Sequence, residues 1–211
     1  MTAAEMKEQF LVQYDAATSF AAPGWEDDEI SNFINKASKD VIDELYLKGD
    51  LIHLSNLIKT SVGVAIQTLS DISNAVVADL TPFNYMYYIS AKLKLTRTDP
   101  VITDTYIPAE KIDVTTAPKF FKTGINKVWF KYPKCYLDYS TQRTYPDLVF
   151  LFDSYTTPTL AGFTYIEFPT NVDITNNIAT NINQVLHKDI VTKAVEEAVK
   201  AVKIAKLTNQ G

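Results

Sequence analysis

Glycine is scarce in this 211-residue chain, at 6 residues, and cysteine occurs once, as Cys135. So little glycine leaves few sites for the loops whose backbone N–H groups cradle phosphate. One cysteine excludes an internal disulfide and any zinc site built on paired cysteines. Arginine is nearly missing as well: Arg97 and Arg143 stand among 20 basic residues, so bidentate recognition of phosphate or carboxylate has two possible centres. No apolar run approaches the ~20 residues of a membrane-spanning helix. Twenty-five acidic residues bring the net charge to −5, against the expectation for a dedicated nucleic-acid binder. Met1 to Phe20 carries Glu5, Lys7, Glu8 and Asp15, which interrupt the apolar core a secretory signal needs, so an intracellular or virion location is expected.

Aromatic residues, by contrast, are plentiful: 12 Tyr and 11 Phe in a chain that is 46% hydrophobic, the composition of an ordinary globular protein. At this length about 70% of the unfolded chain's surface is buried on folding, enough for a core without metal or disulfide support. Tyr85, Tyr87 and Tyr88, and then Tyr132, Tyr136, Tyr139 and Tyr145, form two patches. Core aromatics on a sheet face, a protein interface, and stacking on sugars or bases are all open to them.

Hydrophobic periodicity divides the chain. Met6, Phe10, Leu11 and Tyr14 predict a first helix, ended by Pro23-Gly24. The acidic run Glu26 to Glu29 opens a second, striped by Ile30, Phe33, Ile34, Ala37, Val41 and Leu45 and capped at Gly49. The spacing of Leu51, Leu54, Ile58, Val62, Ala65 and Leu69 predicts a third helix from Asp50 to about Ser73. A period of two then takes over, with Tyr88, Ser90, Lys92 and Lys94 on a wet face and Ile89, Ala91, Leu93 and Leu95 opposite. Asp99 to Lys119, bearing Pro100, Pro108 and Pro118, reads as a long connection. Further strands are expected at Lys127–Tyr132, Asp147–Asp153 and Phe163–Pro169, the middle one apolar on both faces and therefore covered on both. A last helix spans Asn183 to Leu207, with Glu196 and Lys200 as an i,i+4 pair. The expected fold class is α+β: an N-terminal antiparallel helical bundle completed by a C-terminal helix, with a mostly antiparallel β-sheet insertion in the middle. The expected segments are 1–80 (helical), 81–175 (β-rich) and 176–211 (the C-terminal helix, packing on the bundle).

Catalytic motifs are sparse. The sequence has no GxSxG elbow, HExxH or paired-cysteine pattern, and two histidines, His53 and His187, cannot make a three-histidine site. Cys135 has only Lys131 and Lys134 as certain neighbours, where a nucleophilic thiol needs a base. No cofactor and no metal are expected. The acidic run Glu26 to Glu29 lacks the alternating ligands and turn glycine of a calcium loop and reads as a dipole-matching first turn. Tyr139, Arg143 and Tyr145, interleaved in a polar loop ending at Pro146, are candidate interface residues together with Pro108 in the long connection.

The opening third, from Phe10 through Tyr14-Asp15, the Phe33 to Ser38 stretch FINKAS and the Leu54 to Thr60 stretch LSNLIKT, resembles virion proteins that form rings between portal and tail in tailed bacteriophages, especially crAss-like podoviruses. Thr164 to Ile174 (TYIEFPTNVDI) and Leu186 to Lys200 (LHKDIVTKAVEEAVK) are similar to the strand, proline loop and Leu-His helix of such connectors. Where connectors often carry acidic residues before that helix, this chain has Asn181, Asn183 and Gln184. The resemblance implies a non-enzymatic ring or adaptor subunit of the virion, repeated around the tail axis in twelve copies. Its implied partners are neighbouring copies, the portal and other tail proteins, with genomic DNA passing through and no membrane contact. A carbohydrate-binding or other accessory virion module, and an enzyme with a site assembled from Cys135, His53 or His187, are the alternatives.

Overall fold

The computed structural model describes residues 1–19, 24–121, 128–139 and 146–208. Among these residues it is a mixed α+β protein with four helices, α1 (Ala3–Thr18), α2 (Asp27–Leu47), α3 (Pro118–Phe121) and α4 (His187–Thr208). Its eight strands are β1 (Ile58–Val64), β2 (Ile66–Thr68), β3 (Ala75–Asp79), β4 (Tyr85–Thr98), β5 (Val101–Lys111), β6 (Lys134–Asp138), β7 (Asp147–Leu151) and β8 (Thr156–Glu167). Two compact units emerge: Met1–Leu57 together with the chain from Phe168 onward, and Ile58–Glu167.

In the helical unit, the sequence signals for the ends of α1 and α2 work locally. Thr2 and Glu5 form a capping box that satisfies backbone donors at the start of α1. Glu26 and Glu29 do the same for α2, and Asp27 pairs with Lys7 at 2.6 Å. Gly49, at φ 73°, ends α2 in the left-handed conformation that glycine adopts without a Cβ penalty. α4 packs on both α1 and α2 through Ile190, Val191, Ala194, Val195 and Ala198, all buried. Its buried face runs through Val191, Val195 and Val202, whereas Ala205 of the expected stripe is exposed. Lys200 pairs with Glu197 at 2.8 Å, one position from the Glu196 the sequence pointed to, and Lys36 of α2 meets the same carboxylate at 2.7 Å.

The second unit is a curled eight-stranded sheet in the order β1-β8-β4-β5-β6-β7-β3-β2. Only Ala65 separates β1 from β2, yet they stand at opposite ends of this order, so one stretch of chain supplies both ends and the sheet bends back on itself. All pairs are antiparallel except β5 with β6. The enclosed core includes Leu93, Leu95, Leu148, Phe150, Phe163 and Tyr165. A second cluster, with Val149, Leu151, Tyr136 and Ala75, lies on the other face of β7 and is covered by Ile112, Phe120 and Phe121. Every residue of β7 is therefore buried, and its two-faced apolar run has a cover on each side, as expected.

Four expected elements are corrected. The third helix does not form: beyond a short 3₁₀ turn at Ser55–Leu57, the chain is β1 and β2. Ile58, Thr60, Val62, Val64, Ile66 and Thr68 are β-branched at every second position, a period-two signal that outweighs the helical spacing of the larger side chains. A bulge at Gly63, φ 75°, shifts the register there, leaving Val62 exposed while Val64 and Ile66 pack on the core. The expected long connection holds β5, which has β4 along one side but meets β6 only at Glu110 and Lys111, and whose charges and Pro108 disguise it. The strand expected at Lys127–Tyr132 is, over its described residues, a tight turn bridged by Trp129 and Tyr132, and the strand proper starts after Pro133. Finally, β8 begins at Thr156 because Pro158 sits where the β4–β8 register shifts, rather than breaking the strand. A similar shift between Tyr88 and Ser90 turns Tyr88 into the core, against the wet face expected for it.

Candidate functional site

The candidate interface residues do not converge on one described surface. Tyr139 follows β6 and is 70% exposed. Arg143 and Tyr145 lie outside the described residues. Pro108 is exposed in the middle of β5, paired in register with Lys92. The described tyrosines are divided: Tyr14, Tyr85, Tyr88, Tyr136 and Tyr165 are buried, Tyr46, Tyr87 and Tyr106 are half-buried, and Tyr132, Tyr139 and Tyr155 are exposed.

The residues considered for catalysis are each held in a structural role. Cys135 is buried in the sheet core 3.3 Å from the Tyr88 hydroxyl. Burial pushes its thiol up to about 11, so the thiolate that nucleophilic chemistry needs is not available near neutral pH. Burial likewise raises the Tyr88 phenol, whose ring carries the Lys111 ammonium at 4.9 Å. His187 is buried at the start of α4, with Nε2 3.0 Å from the Ile182 carbonyl oxygen, which assigns the Nε2–H tautomer as donor. Desolvation holds its pKa below the usual histidine value, so it is neutral at pH 7. His53 pairs through Nδ1 with Asp50 at 2.7 Å on the surface, and that hydrogen bond lowers the Asp50 pKa. Among the described residues no group of three or more His, Cys, Asp or Glu is placed to hold a metal ion.

A pocket that the sequence did not point to lies in the β unit. It has a volume of about 380 Å³ and is walled by α3, the Trp129 turn, the Ser73-Asn74 turn and the β7–β8 turn, with Arg97 from the end of β4. Arg97 forms an ion pair with Asp153, and the Thr156 hydroxyl donates to the same carboxylate. The guanidinium also lies over Phe130, 4.4 Å from the ring centroid, and 5.7 Å from that of Tyr155. The Tyr155 backbone N–H donates to Asp153 at 3.1 Å, fixing the turn that presents its ring. Trp129 is held by the turn in which Tyr132 N–H donates to the Trp129 carbonyl oxygen at 2.8 Å, and Lys131 lies over its ring at 5.2 Å. Trp129 and Tyr155 remain 50% and 76% exposed. Arg97 and Asp153 are 56 residues apart, so no local motif announces the pair; the one hint in the sequence was the rarity of arginine. Cys135, His53 and His187 do not line this pocket.

No model of a known protein family matches the chain, and no curated protein matches its sequence.

Proposed function

We propose that this protein is a structural virion subunit of a tailed phage, forming a ring in the neck between portal and tail through which DNA passes. In this reading it is not an enzyme, and its helices form a bundle completed by α4, with the β unit inserted in the chain between α2 and α4. The observation that carries the reading is where the family-like stretches fold. The FINKAS stretch of α2 and the NVDI stretch after β8 belong to the same helical unit and are stitched together. The Asn35 side chain accepts from Val172 N–H at 2.7 Å and donates to the Val172 carbonyl at 3.0 Å, while Ser31 Oγ accepts from Ile174 N–H at 3.2 Å. Most of the two ends that carry the resemblance thus fall in one unit, while Ile58–Thr60 and Thr164–Glu167 belong to the β unit. The net charge of −5 and the engagement of Arg97 by Asp153 suit a subunit that lets DNA slide past without gripping it.

Mass measurement of the purified protein, alone and with a portal protein, tests the reading. Closed rings, twelve copies in number, or their formation on adding portal, are expected. A stable monomer that joins neither portal nor tail components overturns it.

A further inference from the structure

We propose that the pocket beside Arg97 and Asp153 binds a neutral saccharide, with Trp129 and Tyr155 as its stacking surfaces. This stands on the pocket alone and goes beyond the ring reading.

The walls select the chemical class by elimination. An anion gains little there, because the Arg97 charge is already neutralised by Asp153 and its Nε–H is committed to the Asp99 carbonyl at 2.5 Å. A cation is repelled by the Arg97 and Lys131 charges, each already set over one face of Tyr155 and Trp129. A wholly apolar ligand would cover Asn74, Ser73 and Ser154 without offering their polar groups hydrogen bonds. A pyranose ring meets all three conditions, since it is uncharged, has an apolar C–H face for an aromatic ring, and carries hydroxyls around its edge that both donate and accept. The Asp153–Arg97 pair offers acceptors and donors in a fixed arrangement, held by Thr156 and by the Tyr155 N–H rather than by the ligand. The two aromatic side chains are large and exposed, the condition in which stacking recovers the apolar area left in water. A volume of about 380 Å³ admits one or two sugar rings and leaves the rest of a longer glycan outside.

The test is an array of neutral, anionic and amino-sugar glycans, followed by calorimetric titration of the full chain with the best neutral hit. Saturable binding to a neutral glycan with Kd below about 10 mM is expected. Trp129→Ala and Tyr155→Ala should each weaken it at least about tenfold, while Tyr139→Ala leaves it unchanged. Both substituted side chains are exposed, and circular dichroism with thermal melting confirms that the variants stay folded. Absence of any neutral-glycan binding, binding confined to anionic glycans or to nucleotides, or binding that survives both substitutions overturns the proposal. Ring formation is measured separately, so failure of one reading leaves the other standing.

Discussion

At Gly162 a missing side chain lets three strands share one surface. Gly162 of β8 pairs with Val62 of β1 on one side and Lys92 of β4 on the other. A Cβ there would come within 2.9 Å of Lys92 Cε and 3.1 Å of the Ser61 carbonyl oxygen. The Lys92 ammonium lies over the Tyr106 ring at 4.8 Å, and the Tyr106 hydroxyl accepts the Gly63 N–H at 3.1 Å, so the side chain of β5 reaches across to β1. Gly162→Val should destabilise the β unit by about 1–3 kcal/mol, read from the midpoint shift in urea, because the Ser61 backbone cannot yield as the lysine can. At Cys135 the raised thiol pKa gives a second expectation. Iodoacetamide at pH 8 should label the native protein far more slowly than the unfolded chain, and equal rates would contradict the buried placement. The Asn35 clamp gives a third: Asn35→Ala leaves the Val172 N–H and carbonyl without their partner and should cost about 1–3 kcal/mol, whereas a surface neighbour such as Lys39→Ala should be near neutral.

Among the elements, β5 is the one whose sequence most conceals its structure. It pairs with β4 over most of its length and meets β6 only at Glu110 and Lys111, so one side of Val101–Ala109 has no strand beside it among the described residues. Pro108 withholds an N–H from the ladder, and Asp104, at φ 48°, bends the strand, both devices that keep an edge from pairing with another chain. Pro108, singled out as a contact residue, is thus placed to discourage main-chain pairing at this edge. Pro108→Val should raise the tendency to self-associate, seen by light scattering during mild heating; an unchanged profile would remove this role. The same strand explains why half the β unit escaped periodicity. β4 and β7 were legible because their apolar residues face packed neighbours, whereas β1 and β5 are mostly wetted, and bulges at Gly63 and near Ile89 break the two-residue rhythm.

For the molecule as a whole, the chain enters and leaves the β unit on neighbouring strands. Ile58 pairs with Ile166, and Lys59 meets Glu167 at 3.3 Å, so both ends of Ile58–Glu167 lie side by side. Residues 58–167 expressed alone should give a β-type circular dichroism spectrum and a cooperative melt, and a chain without either would mean the unit depends on the helices. Stability of the full chain should also fall in acid in two stages. His187 has a folded pKa below its unfolded value of about 6.5, so the unfolded chain binds the extra proton and stability declines as pH drops from there toward the folded value. The Met1 amino terminus opposes the charge, and the Ile182 carbonyl favours it. Glu197, held down to about 2 by Lys200 and Lys36, favours the folded state above its unfolded value of about 4.5 and loses that contribution as pH falls through 2. The pair is exposed enough for its share to be small. Urea midpoints between pH 7.5 and 1.5 check the order, and His187→Gln should flatten the first stage while leaving the second.

The scarcity of glycine, cysteine and arginine came from the sequence alone, as did the ends of α1 and α2, the run of α4 and the doubly covered β7, because caps, helical stripes and two-faced apolar runs are local signals. Only the tertiary structure decided which tyrosines point inward (Tyr14, Tyr85, Tyr88, Tyr136 and Tyr165), and that Arg97 meets Asp153 beside exposed aromatic rings. Those outcomes depend on which distant segment lies opposite, and neither composition nor period carries that information.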